Sequence, residues 1–352
     1  MKKIVFSILL IFFSFLFCFL IADLILRLIN YPKVLLLKKD DSDYIQYDDT
    51  LGYRYLPNLD IEIKNENYCV QVKTNSFGFR DDEWNFDGKY KSIFVLGNSF
   101  SAGYGLPVAE RWSNRLNYLL NIETEKYSIY NISVSAYNMK QMIEAGSYLS
   151  SFVKPQIIIM GLYLDGLSRL HDPYVFYNGF AIRSSHVKYA KIKNNRLMFT
   201  HFESELMKNI ESFAIVHSVF YNFIINKMQK LKCFFNANFG PEYNIAFYGV
   251  DEILPELKSN YDRKNIKLII LPILQHDENR KFRDNDLILY KELKHLCNEN
   301  KIYFADILPQ MEKEIAMGKS FFIRNDSHWN EDANQIAAQS LYLIIDKLSC
   351  SY

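Results

Sequence analysis

The chain has no excess of charge. Lys and Arg number 41 against 40 Asp and Glu, a formal net charge of +1 over 352 residues. That removes the general electrostatic case for a nucleic-acid partner, because phosphate-backbone binding needs a clustered positive surface. Cysteine is scarce, and the five present (Cys18, Cys69, Cys233, Cys297 and Cys350) have no metal-type spacing. They predict neither a zinc site nor a disulfide framework. A single bridge from Cys69 is not readable from sequence. The chain also lacks a Gly-rich phosphate loop, a metal-ligand cluster, an internal repeat and a low-complexity tract. No metal and no cofactor are expected.

What is present starts with a long apolar run. Lys2 and Lys3 precede residues 4–22, which are interrupted only by Ser7 and Ser14. About 20 apolar residues span a bilayer. The run is longer than a signal-peptide core and has no small-x-small cleavage site. Phe17 before Cys18 argues against lipoprotein processing. Lys2 and Lys3 favour a cytoplasmic N-terminus, a contrast weakened by Arg27, Lys33, Lys38 and Lys39. Residues 1–27 are therefore read as a transmembrane anchor in the inner (cytoplasmic) membrane, with the bulk of the chain on the periplasmic side. A cleaved signal peptide is the alternative, and it places the same bulk outside the cytoplasm.

Residues 28–90 read as a juxtamembrane stretch followed by short strands and turns, with turn residues at Asn75, Ser76 and Gly78. Arg80 is read as a buried ion-pair partner, with reach to the site as the other possibility. From residue 91 onward, strands and helices alternate. Apolar runs at 92–96, 128–134, 157–160, 266–273 and 302–305 are separated by helical spacing at 108–120, 139–152 and 284–298, and a last helix runs to about 348. Apolar strands alternating with helices predict a parallel five-stranded sheet covered on both faces. Residues 166–264 form an insertion, with a helix predicted over 203–232. Long insertions are commonly functional, and this one reads as a lid or as an inert decoration.

Two short blocks carry the chemistry. The first strand ends in Gly97-Asn98-Ser99-Phe100-Ser101, and in open α/β sheets ligands bind outside the carboxyl ends of strands. Near the C-terminus the chain reads Asp326-Ser327-His328-Trp329-Asn330. A serine nucleophile needs a base, usually His, and the base needs a group that fixes its tautomer. Asp326 and His328 flank one residue, so one loop can present both. His171, His186, His201, His217, His276 and His295 lack partners at motif spacing and read as structural or surface residues, with only His171 and His276 near plausible strand ends.

The Gly-Asn-Ser block followed by the distant Asp-x-His resembles the SGNH (GDSL-type) hydrolases. In particular it looks like their membrane-anchored bacterial branch, linked to cell-surface polysaccharides. The Asn75-Ser76-Phe77-Gly78-Phe79-Arg80 segment resembles the block that precedes the core in that branch. The resemblance runs from about residue 47 to the C-terminus. It implies a three-layer α/β/α flavodoxin-like fold preceded by one transmembrane helix. It also implies a catalytic set of Ser99, Asp326 and His328. The oxyanion donors would be the Ser99 N–H, the Ala136 N–H where the family has Gly, and the residue at Asp165 where the family has Asn. An ionised carboxylate donates no hydrogen bond, so Asp165 is a departure; Asn98 and Asn131 are the substitutes within the motifs. The implied partner is an acylated cell-envelope glycan or a lipid ester. The activities that follow are acyl hydrolysis, O-acyl transfer by the same triad, or glycan binding without catalysis.

Overall fold

The computed structural model describes residues 2–29, 44–48, 51–64, 66–123, 126–171, 174–177, 180–183, 190–193, 196–199, 218–221, 223–224, 245, 249–275 and 281–350. Helix α1 (Lys2–Leu28) comes first, and its residues Val5–Leu28 are long and apolar enough to cross a membrane. Two antiparallel hairpins follow: β1 (Ile45–Asp48) with β2 (Gly52–Tyr55), and β3 (Asp60–Lys64) with β4 (Cys69–Lys73).

The core then runs β5 (Lys91–Leu96), α2 (Ser99–Ala102), α3 (Trp112–Asn121), β6 (Tyr127–Asn131), α4 (Met139–Leu149) and β7 (Ile157–Tyr163). The hairpins β8 (Tyr174–Tyr177) with β9 (Phe180–Arg183) and β10 (Ala190–Lys193) with β11 (Arg196–Phe199) come next. The remainder is α5 (Val250–Arg263), β12 (Lys267–Ile273), α6 (Asp284–Glu299), β13 (Tyr303–Phe304), α7 (Leu308–Ala316) and α8 (Glu331–Cys350).

Five parallel strands form one sheet in the order β13-β12-β7-β5-β6. In core numbering that is 2-1-3-4-5, the flavodoxin-like order, so the fold is the expected three-layer α/β/α. Its direction reverses between β5 and β7, which makes their carboxyl ends the topological switch point. β7 is buried at every residue and β12 at all but its first, as strands covered on both faces must be. The edge strand β6 is blunted by side chains. Asn121 takes both backbone groups of Tyr127, and the Asp81 carboxylate takes the Asn131 N–H. This leaves little of the strand open to another chain.

Three local readings differ from the structure. Ser99–Ala102 is helical, a single turn too short to register as periodicity. The last part of the predicted insertion is α5, the helix that leads into β12; Pro255 inside it hides the helical pattern of Val250, Ile253, Leu254 and Leu257. β7 runs on through Gly161 to Tyr163 rather than stopping at Met160. Most of the helix predicted over 203–232 lies outside the described residues.

Candidate active site

The nucleophile block is shaped by the absence of two side chains. A Cβ on Gly97 would clash with Ser101 Oγ, and one on Gly161 would clash with the same atom. Helix α2 therefore rests directly on the ends of β5 and β7. The Asn98 side chain caps it by accepting the Phe100 N–H at 3.2 Å, and Gly103, at φ +75°, ends it. Ser99 takes the first helical position, where a backbone N–H has no intrahelical partner. Gly161→Ala is expected to cost roughly 1–3 kcal/mol through overpacking against Ser101. Chemical denaturation checks this, and an unchanged midpoint would refute the close approach.

The second block is a tied loop. The Ile323 N–H donates to the His328 carbonyl at 2.9 Å, and the Asn330 N–H to the Phe321 carbonyl at 3.0 Å. Trp329 is buried and donates from Nε1 to the Leu274 carbonyl at 3.1 Å, which pins the loop to the end of β12. His328 is thereby aimed at α2. Its Nε2 lies 2.8 Å from Ser99 Oγ, and its Nδ1 lies 2.6 Å from Asp326 Oδ1. The same Asp326 oxygen accepts the His328 backbone N–H at 2.8 Å. The imidazole lies between two rings, Phe100 at 4.7 Å and Tyr104 at 4.5 Å between centroids. Burial works to raise the Asp326 carboxyl. The hydrogen bonds from the His328 ring and backbone and from Ser327 outweigh it and hold the group below the usual carboxylate range.

Ala136 stands in a turn next to Gly97: the Val134 N–H reaches the Gly97 carbonyl at 3.3 Å, and the Tyr137 N–H the Val134 carbonyl at 3.2 Å. Its φ is +64°, a left-handed conformation that costs a residue with a Cβ about 1–2 kcal/mol. This is where the resembling family has Gly. The turn is held from outside the core. Tyr53 Oη donates to the Ser135 carbonyl at 2.5 Å, and Tyr55 Oη lies 2.9 Å from Ser135 Oγ and accepts the Ser135 N–H at 3.1 Å. Tyr137 Oη returns a bond to the Tyr53 carbonyl at 2.6 Å.

Asp165 is placed otherwise than the resemblance implied. Its side chain is 47% exposed, 3.6 Å from Arg283 and within 3.1 Å of Tyr163 Oη. Among the described residues it forms no hydrogen bond or ion pair with Ser99, His328 or Ala136. The structure joins it to the site through rings alone, since Tyr163 stacks on Phe100 at 5.1 Å. Asn131 is no donor to the site either, because both its amide hydrogens go to Ser101 O and Ser113 Oγ. Arg80 is buried, yet it forms no ion pair among the described residues. Its guanidinium donates to the carbonyls of Gln71, Ala102, Gly103 and Leu106. It thus anchors the carboxyl end of the helix that carries Ser99, a role that no spacing in the sequence signals.

Beside Asp165, burial and the neighbouring Asp165 charge push the Asp286 carboxyl up to about 6, against the Gln275 N–H and Arg283. A carboxyl whose pKa is raised by folding destabilises the fold as pH climbs from about 4 through 6. Asp286→Asn removes that cost, so its gain in Tm should be larger at pH 8 than at pH 5. Equal gains would contradict the assignment. Among the described residues no group of three or more His, Cys, Asp or Glu side chains is arranged to hold a metal ion.

No protein-family model matches the sequence, and no curated protein matches it. Solved structures similar to the chain include that of TesA, at 13% identity over 73% of this chain and 99% of that one, with a TM-score of 0.43. The acetyl xylan esterase AlAXEase aligns at 10% identity over 72% of this chain and 99% of that one, with a TM-score of 0.40. A member of the lipolytic G-D-S-L family from Veillonella parvula aligns at 12% identity over 71% and 95%, with a TM-score of 0.37. With its Gly-Asn-Ser and Asp-x-His blocks, its 2-1-3-4-5 strand order and Ser99, His328 and Asp326 in one hydrogen-bonded line, the chain is similar to the SGNH, or G-D-S-L-type, hydrolases.

Proposed function

We propose that the protein is a serine ester hydrolase, anchored in the inner membrane by α1, that removes an acyl group, acetyl first among them, from a cell-envelope polysaccharide on the periplasmic side. One observation carries the chemistry: the unbroken line from Asp326 through both nitrogens of His328 to Ser99 Oγ, at 2.6 and 2.8 Å. With Asp326 ionised, the Nδ1 proton is held toward it and Nε2 is left as acceptor. His328 takes the proton of Ser99 as Oγ attacks the ester carbonyl. The tetrahedral oxyanion is met by the backbone N–H groups of Ser99 and Ala136. His328 then gives its proton to the leaving sugar oxygen, and an acyl-Ser99 intermediate remains. Water activated by the same base completes hydrolysis.

The orientation of Asp165 toward Arg283 supports an active site over a silenced one, because its charge is spent away from the oxyanion. The tether supports a surface polymer as substrate. The test is fluorophosphonate labelling of the full-length protein in detergent, with release of acetate from acetylated envelope glycan measured beside it. Labelling of wild type and Asp165→Asn alike, together with acetate release, is expected. Labelling only in Asp165→Asn would mean that the carboxylate silences the site. Labelling with acyl transfer to added sugar in place of acetate release would make the protein an O-acyltransferase.

A further inference from the structure

The anchor helix carries one acidic residue, Asp23, close to the end of its apolar span. A carboxylate there is costly unless it is partnered. It has partners, and two come from the inserted segment almost two hundred residues further on. Asp23 Oδ1 accepts Ser218 Oγ at 3.0 Å and the Phe220 backbone N–H at 2.9 Å, while Oδ2 accepts Arg27 Nε at 2.6 Å. One turn earlier on the same face, Phe19 meets the edge of the Phe220 ring at 5.1 Å. Among the described side chains of α1, the partly covered ones are Phe19, Ala22, Asp23 and Leu26, and the others are exposed. That i, i+3, i+4, i+7 spacing is one helix face. The sequence around the contact is apolar: residues 213–225 hold only His217, Ser218 and Asn222 as polar members besides Tyr221, and Lys227, Lys230 and Lys232 follow. An apolar run of 10–14 residues suits an interfacial seat better than a full span, and a basic flank suits headgroups.

We propose that the insertion returns to the bilayer at residues 218–221 and 223–224 and docks on the outer end of α1, with Asp23 as its latch. The protein is then held on the lipid surface at two points, and its site is kept at that surface rather than swinging on a tether. In lipid, a backbone N–H must find a partner within the protein, and Asp23 supplies one to Phe220. The inference rests on α1 as a membrane span and is independent of ester hydrolysis.

The test uses full-length chains with one thiol each, at Cys18, at Cys69 or at Phe223→Cys, labelled with bimane. They are reconstituted in phosphatidylcholine vesicles or in the dibrominated analogue, which quenches only on contact with acyl chains. Cys18 lies in the span and Cys69 on an exposed strand, so they set the two ends of the scale. The label at 223 is expected to be quenched like that at Cys18. Asp23→Leu is expected to shift the equilibrium toward the undocked form by about tenfold, moving the signal at 223 toward that of Cys69 while Cys18 stays unchanged. A label at 223 that behaves like Cys69 in the parent chain overturns the docking. Quenching at 223 that ignores Asp23→Leu overturns the latch. A Cys18 label that escapes quenching overturns both, together with the membrane reading of α1, and none of these outcomes touches the esterase assay.

Discussion

Ser99→Ala is expected to lower turnover of p-nitrophenyl acetate by up to roughly 10⁶-fold and to abolish fluorophosphonate labelling, with Tm nearly unchanged. The size follows from what the hydroxyl does. In the proposed reaction it is the attacking atom, and it is the partner of His328 Nε2 at 2.8 Å, so that reaction forms no acyl-enzyme without it. His328→Ala should cost about as much, and the double variant little more, because the two act as one unit. Asp326→Asn is milder, about 10⁴-fold, since the imidazole then loses its fixed tautomer but not its place between Phe100 and Tyr104. The pH dependence has a definite sign. The folded Asp326 carboxyl is held below its ordinary value. The stability it adds is present above the unfolded pKa and is lost as pH falls through the folded one. Acid should therefore weaken the loop and the reaction together. Wild-type turnover in Ser99→Ala, once contaminating esterase is excluded, would end the hydrolase reading.

How much of this was legible beforehand depended on the range of the interactions. β5, β7 and β12 are continuous Ile-, Leu- and Val-rich runs, and burial on both faces is written in any short window of them. That Ser99, Asp326 and His328 would meet was legible because residues at the ends of strands answer to chemistry rather than packing, and two of the three sit in one loop. The one-turn helix α2 was not, since four residues hold no period. The direction of the Asp165 side chain was not legible for another reason: alignment by chain order says nothing of direction, and Arg283, more than a hundred residues away, is where the carboxylate turns. The same holds for Arg80. A buried guanidinium suggests a carboxylate partner, yet the carbonyls left open at the end of α2 and in the loop after it meet the same electrostatic need.

In the proposed reaction the hairpin tyrosines act from a distance, and they carry the second large expected effect. Tyr53→Phe with Tyr55→Phe removes the hydroxyl groups that hold Ser135, the residue before Ala136. The Ser135 N–H, Oγ and carbonyl are buried, and each loses its partner, at about 1–3 kcal/mol apiece at most. Ala136 is the weak point, because it sits at φ +64° against its own preference and only the bonds of its neighbours Val134 and Tyr137 then hold the turn. With the turn relaxed, the Ala136 N–H no longer serves as the proposed oxyanion donor, and kcat should fall by about 10²–10³-fold, the usual worth of one such donor. KM should hardly move, because the ground-state ester does not depend on that N–H. A Tyr53→Phe/Tyr55→Phe chain in which Ala136 is also replaced by Gly separates the two roles. Glycine adopts positive φ without strain, so it should recover part of the lost stability. It should not recover kcat, since Ser135 is still unheld. Loss of stability with kcat intact would show that the tyrosines serve packing alone. Loss of kcat in proportion to fluorophosphonate reactivity would place the N-terminal hairpin among the parts that position the reaction.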